Sequence, residues 1–225
     1  MSTQLLHVIG TPRGLASNTG RVSSALLEEI LEQDDDVVVT TLDLFKSDLP
    51  SVAGRNIESK YKLMTGQALE GPYKESWREI ERTIEQFLAA DLYLLTVPMW
   101  NFGIPYVLKY YIDAIIQPGY LFRYTETGAV EPLVHGKKMI CVTSRGGDYS
   151  SEPMRAFDFV ETYLRTIFGF VGITDIRFFN AQPMDVSRDI RMAAQRAAIN
   201  EVREYAASGL WRPEEDLVLA TEAVS

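Results

Sequence analysis

The chain has 225 residues, 46% of them hydrophobic and 24% charged, which is enough apolar material for one large, fully cored domain. Its formal charge is −9 without any Lys/Arg tract, which argues against sequence-general nucleic-acid binding, where phosphates must be neutralised. A single cysteine, Cys141, excludes an intrachain disulfide and a four-cysteine metal site. The opening MSTQLLHVIG lacks a secretory leader pattern, and no apolar run approaches the ~20 residues of a transmembrane helix. The expectation is a soluble cytoplasmic protein that engages neither membrane nor nucleic acid.

Strand-like and helix-like segments alternate along the chain. Leu5 to Ile9 is a short apolar strand stopped by Gly10-Thr11-Pro12. From about Thr19, Val22, Ala25, Leu26 and Ile30 fall on one helical face, and Asp34 to Asp36 ends that helix. Val37 to Leu42 is a β-branched strand. Residues 46–71 read as loop with a short helix near Ile57 to Thr65, and Tyr73 to Ala89 as an amphipathic helix. Asp91 to Val97 is the third strand. A helix opens at Pro105, where the missing N–H costs nothing. Lys138 to Thr143 is a strand, Pro153 to Phe168 a helix, Ile173 to Phe179 a strand and Arg188 to Ala206 a helix. The domain is expected over 1–207, with an acidic tail over 208–225. Such alternation predicts an α/β protein with a parallel sheet covered on both sides, whose ligands bind at the carboxyl ends of the strands.

Three of the loops at those ends carry unusual residues. After the first strand, Thr11, Arg13, Ser17, Asn18 and Thr19 surround a helix start, a setting suited to a phosphate, or read plainly as a helix cap. Neither a Walker pattern nor Gly-x-Gly-x-x-Gly is present. After the third strand, Met99, Trp100, Asn101 and Phe102 could wall a planar ligand or anchor the loop in the core. After the fourth, Ser144, Arg145, Gly146 and Gly147 allow close backbone approach or form an ordinary turn. Ser144 lacks a nucleophile elbow, since Val142 stands where glycine is needed. His7 and His135 stand far apart with no ligand spacing, so no metal site is expected, and Cys141 reads as a buried thiol.

The run Pro98-Met-Trp-Asn-Phe-Gly-Ile-Pro-x-x-Leu-Lys-x-Tyr-Ile-Asp113 continues through Phe122-Arg-Tyr-Thr-Glu-x-Gly128, Gly136-Lys-Lys138 and Ser144-Arg-Gly-Gly147. In this order and spacing, over roughly residues 3–207, the chain resembles the FMN-dependent NADH-azoreductases, a flavodoxin-like family that also reduces quinones. The family usually has serine at the positions of Thr11 and Thr19, and tyrosine at that of Trp100. The resemblance implies a doubly wound sheet of five parallel strands in the order 2-1-3-4-5, with helices on both faces. It implies FMN, with the phosphate at Thr11, Ser17, Asn18 and Thr19. The ring would lie against Met99, Trp100, Asn101, Phe102, Ser144, Arg145, Gly146 and Gly147. It implies NADH or NADPH as donor, a quinone or azo compound as acceptor, and a homodimer whose substrate pocket draws on Trp100, Tyr120, Phe122 and Tyr124. No side chain is assigned as acid or base. The rival readings are an electron carrier serving a protein partner and a phosphodiester hydrolase, the latter opposed by the missing metal cluster and nucleophile elbow.

Overall fold

In chain order the computed structural model, which describes residues 2–213, runs β1 (Thr3–Ile9), α1 (Asn18–Gln33), β2 (Val37–Asp43), α2 (Arg55–Met64), α3 (Gly71–Leu88), β3 (Leu92–Pro98), α4 (Tyr106–Ile115), β4 (Phe122–Tyr124), β5 (Val130–Pro132), β6 (Lys138–Ser144), α5 (Phe159–Val171), β7 (Asp175–Ala181) and α6 (Arg188–Ala207). Five strands pair in parallel in the order β2-β1-β3-β6-β7, the expected 2-1-3-4-5 winding. Both faces of the sheet are covered, which is why the strands read as nearly continuous apolar runs. Leu6, Val8, Tyr93, Leu95, Val97, Met139 and Cys141 turn to one face, beneath α3, α4 and α5. Leu5, Leu92, Leu94, Ile140, Val142 and Phe179 turn to the other, beneath α1 and α6. Among the described residues no helix is long and apolar enough to cross a membrane.

Register fixes where the loops emerge. Ile9 pairs with Asp43 and Thr96, and Pro98 pairs with Ser144, which pairs in turn with Ala181. The loops after β1, β3, β6 and β7 therefore leave from one rim of the sheet.

The structure departs from the sequence reading in four places. β4 and β5 form an antiparallel hairpin that was not expected, because strands of three residues are too short to show a period. The helix expected from Pro153 begins at Phe159, since Asp158 caps it by accepting from the Val160 and Glu161 N–H groups at 3.0 and 3.2 Å. The strand expected from Ile173 begins at Asp175, because α5 runs on to Val171 and ends at left-handed Gly172. The packed unit also runs past 207. Trp211 is fully buried against the α1/α6 core, and its indole N–H donates to the Ala206 carbonyl at 3.0 Å. Of the tail expected over 208–225, residues 214–225 lie outside the described residues.

Two buried groups on the strands bear on stability and chemistry. Cys141 is fully buried, and burial pushes its thiol up, so it stays protonated and inert. His7 is 1% exposed, with Nε2 2.7 Å from the Thr96 hydroxyl, and burial lowers its pKa from 6.5 to about 4. Below pH 6.5 the unfolded chain takes up this proton and the folded chain does not. Stability is thus expected to fall by up to about 3 kcal/mol as pH drops from about 6.5 to about 4, and to be unaffected by His7 above that window. Urea unfolding across the window should show a shallower pH dependence for His7→Gln than for the wild type. Equal slopes would remove His7 as the cause.

Candidate active site

The loop after β1 is tied to the sheet by its first residue, as the Gly10 N–H donates to the Thr96 carbonyl at 2.9 Å. It then coils through a 3-10 turn, Gly14–Ala16, that lies directly on α1. Only glycine fits beneath it: a Cβ at Gly20 would sit 2.5 Å from the Gly14 oxygen and from Leu15 Cα. Ser17 caps α1, accepting from the Gly20 N–H at 2.9 Å and donating to the Gly14 carbonyl at 2.7 Å. Both roles of that hydroxyl are therefore taken within the loop, and Ser17 shapes the anion site more than it lines it. The first-turn N–H groups of Asn18 and Thr19, and the buried hydroxyl of Thr11, have no hydrogen-bond partner among the described residues. Arg13 stands exposed at the same loop. The Thr19 and Ser144 hydroxyls lie 2.6 Å apart, joining the start of α1 to the end of β6.

The loop after β3 makes a two-residue turn. The Trp100 N–H donates to the Gly103 carbonyl at 2.9 Å and the Gly103 N–H to the Trp100 carbonyl at 3.0 Å. Asn101 and Phe102 between them take φ of 48° and 69°. Asparagine tolerates that region, but for phenylalanine it costs about 1 kcal/mol or more, so neighbours must hold it. One such hold is the Phe159 N–H, which donates to the Phe102 carbonyl at 3.0 Å. The turn leaves the N–H groups of Asn101 and Phe102 without a partner among the described residues.

Across from this turn run Gly146 and Gly147. Between them lies a cavity of about 430 Å3, walled by Met99, Asn101, Phe102, Gly146, Gly147, Tyr149, Asp185 and Val186. Gly146 is held close to the loop after β7, its carbonyl accepting from the Met184 and Asp185 N–H groups at 3.0 and 2.9 Å. A Cβ at Gly146 would collide with the Asp185 side chain.

Most of the expected residues thus gather at one rim, but two expectations need correcting. Arg145 does not face the ligand cavity. It is buried, with Nε and one terminal nitrogen donating to Asp158 Oδ2 at 2.9 and 2.5 Å and the other to Thr143 and Asn180. Its backbone N–H and carbonyl are taken by Ala181 and Met184. Trp100, 37% exposed, turns away from the cavity toward Phe45 and Tyr106, with ring centroids 6.0 and 6.5 Å apart. It forms a flanking aromatic wall.

Tyr120, Phe122 and Tyr124, expected in a site completed by a second subunit, stand apart from the mouth of their own chain. The segment that holds them follows α4, which runs back from the mouth, and leads into β6 at the opposite rim, where Val134 donates to the end of α5. Phe122 is buried against Phe170, and the Tyr120 hydroxyl donates to Glu81 on α3 at 2.7 Å. These aromatics do not share a pocket with Trp100 in one chain.

Sequence reasoning missed Gly20, Phe45, Tyr149 and Asp185. A glycine in the first turn of a helix was a visible signal for the first. Asp185 lies in the loop after β7, which the carboxyl-end rule also covers. Nothing in the sequence singled out Phe45, and Tyr149 ends the Thr143–Tyr149 loop that its two glycines mark.

A flavin mononucleotide fits what is present. Orphan N–H groups and a buried hydroxyl stand at the α1 end, and a cavity of suitable size lies between the turn and the glycines. The profile described as flavodoxin-like fold matches residues 3–206. The chain is 35% identical over 204 residues to the FMN-dependent NADH:quinone oxidoreductase of Nitratidesulfovibrio vulgaris (strain DP4), covering 90% of this chain and 97% of the relative. It is 37% identical over 201 residues to the enzyme of the same name from Rhizobium meliloti (strain 1021), covering 89% and 96%. An FMN-dependent NADH-azoreductase from Bacillus anthracis, solved in complex with FMN, matches with a TM-score of 0.81 at 26% identity over 94% of this chain and 100% of that one. The chain belongs to the flavodoxin-like fold family, among the FMN-dependent NADH:quinone oxidoreductases.

Proposed function

We propose that this protein is an FMN-dependent reductase that moves two electrons from NADH or NADPH to quinones and to azo compounds. The observation that carries the reading is the convergence of an anion site at α1 and a cavity at Gly146-Gly147 on one rim, joined by the Thr19–Ser144 contact. FMN, when bound, supplies the redox chemistry linking a hydride donor to an acceptor. The chain supplies the setting. The Asn18 and Thr19 N–H groups and the Thr11 hydroxyl hold the phosphate, and Arg13 adds positive charge. The Asn101 and Phe102 N–H groups meet the ring edge as fixed donors that need no reorganisation. Met99, Phe102 and Val186 exclude water on the apolar side of the cavity. No side chain is assigned as acid or base.

The same reading includes a homodimer. Tyr106 is 70% exposed, Tyr110 is exposed on the same helix, and Phe157 and Phe159 are exposed before and at the start of α5. Aromatic surface of this kind is what a stable partner covers. The β4/β5 hairpin, remote from its own chain's mouth, would then serve the partner's. The reading also takes the enzyme to be cytoplasmic, a compartment that supplies NADH and NADPH.

Purified protein, reconstituted with FMN where needed, is expected to show flavin absorbance that bleaches on anaerobic addition of NADH. Protein that cannot take up FMN would contradict the reading. Donor and acceptor share one mouth and must take turns in it, so reciprocal initial-rate plots at several quinone concentrations should be parallel. Intersecting lines would mean a ternary complex and would end the shared-mouth mechanism.

A further inference from the structure

Next to the ring-side cavity lies a larger one of about 560 Å3, and Tyr149 lines both. It sits between the start of α5 and the end of β7, with Arg155, Asp158, Glu161, Arg165 and Gln182 in its walls. Most of its charges are already paired. Asp158 is held by Arg145 at 2.5 Å, and Glu161 by Arg165 at 2.8 Å. Arg165 also donates to the Ile176 carbonyl at 2.8 Å. Arg155 is the exception: among the described residues its side chain has neither an ion pair nor a hydrogen bond. Tyr149 is fixed between the two cavities, its N–H donating to Gln182 Oε1 at 3.1 Å.

We infer that this second cavity seats the adenosine and pyrophosphate half of the nicotinamide donor, with Arg155 against the pyrophosphate. The inference rests on the proposed function, which brings the nicotinamide to the open face of a flavin seated in the ring-side cavity. A dinucleotide whose reactive ring lies there must carry its other nucleotide out beside it, and the second cavity adjoins at Tyr149, which lines both. Its volume is that of a small-molecule site. A pyrophosphate calls for an unneutralised cation, and Arg155 supplies one where the neighbouring guanidinium groups are taken. The Ser150 and Thr162 hydroxyls in the same wall suit ribose oxygens.

The test uses FMN-loaded wild type and Arg155→Glu, with a saturating soluble quinone. Two donors are compared: NADH, and N-benzyl-1,4-dihydronicotinamide, which carries the reactive ring without any phosphate. Calorimetric titration with ADP-ribose gives a readout independent of turnover. The variant is expected to lose about tenfold in kcat/KM for NADH, through KM, and about tenfold in ADP-ribose affinity. The benzyl donor should change less than about twofold, since its binding involves no charge–charge contact with Arg155. Unchanged NADH kinetics and ADP-ribose affinity would overturn the inference and leave the proposed function standing. Equal losses with both donors would also overturn it, because Arg155 would then act on the ring cavity or the fold. Wild type that binds FMN yet oxidises neither donor would remove the proposed function, and this inference with it.

Discussion

Replacing Ser17 with aspartate is expected to weaken FMN binding by about a hundredfold, whereas asparagine at the same position should cost less than about threefold. The comparison isolates charge from shape. The Ser17 hydroxyl does two jobs, accepting from the Gly20 N–H and donating to the Gly14 carbonyl. Asparagine can do both, with its oxygen and its amide nitrogen. Aspartate keeps the acceptor, and so keeps the helix cap, and its charge suits the α1 dipole. The fold should therefore survive in both variants. What differs is a negative charge placed beside the Asn18 and Thr19 N–H groups, where the phosphate must sit. A like charge a few ångströms away is worth about 2 to 4 kcal/mol in a half-shielded setting, enough for the predicted loss. Fluorescence titration of the apoprotein with FMN measures it. Equal losses in the two variants would move the phosphate away from the start of α1.

The sheet was legible because burial on both faces leaves runs such as Leu92 to Val97 with scarcely a polar residue. Carboxyl-end loops followed from that, and with them Thr11, Met99 and Gly146. Side-chain direction was not legible. Trp100 leaves the cavity at a turn whose Asn101 and Phe102 adopt positive φ, and a phenylalanine there gives no local signal. The Thr19–Ser144 contact spans 125 positions and exists only once β1 and β6 flank β3 in the folded sheet. The resemblance put the aromatics of 120–124 in a site shared between subunits, and the direction of α4 carries them to the other rim of their own chain. Trp211 was one aromatic in an acidic stretch, and its burial depends on a surface built by α1 and α6.

Arg145 illustrates the same limit and yields the largest stability effect expected here. In sequence it stands between a serine and two glycines and reads as part of a ligand loop. In the fold it is a buried cation whose partner, Asp158, has a side chain only 12% exposed. Taking one charge from such a pair leaves the other buried without compensation, which costs about 3–5 kcal/mol. Arg145→Met should therefore unfold roughly 10 °C below the wild type. Asp158→Asn alone should also be strongly destabilised, although asparagine still caps α5, because the guanidinium then loses its counter-charge. The double variant Arg145→Met, Asp158→Asn removes both charges and should be more stable than the sum of the single losses implies. Its remaining deficit would fall on α5, whose Phe159 N–H holds the Phe102 turn, so FMN affinity should drop along with stability in Arg145→Met. Urea unfolding of the four proteins closes the cycle. Strictly additive losses would show that Arg145 and Asp158 act separately, and the account of Arg145 as the brace between the glycine loop and α5 would fail.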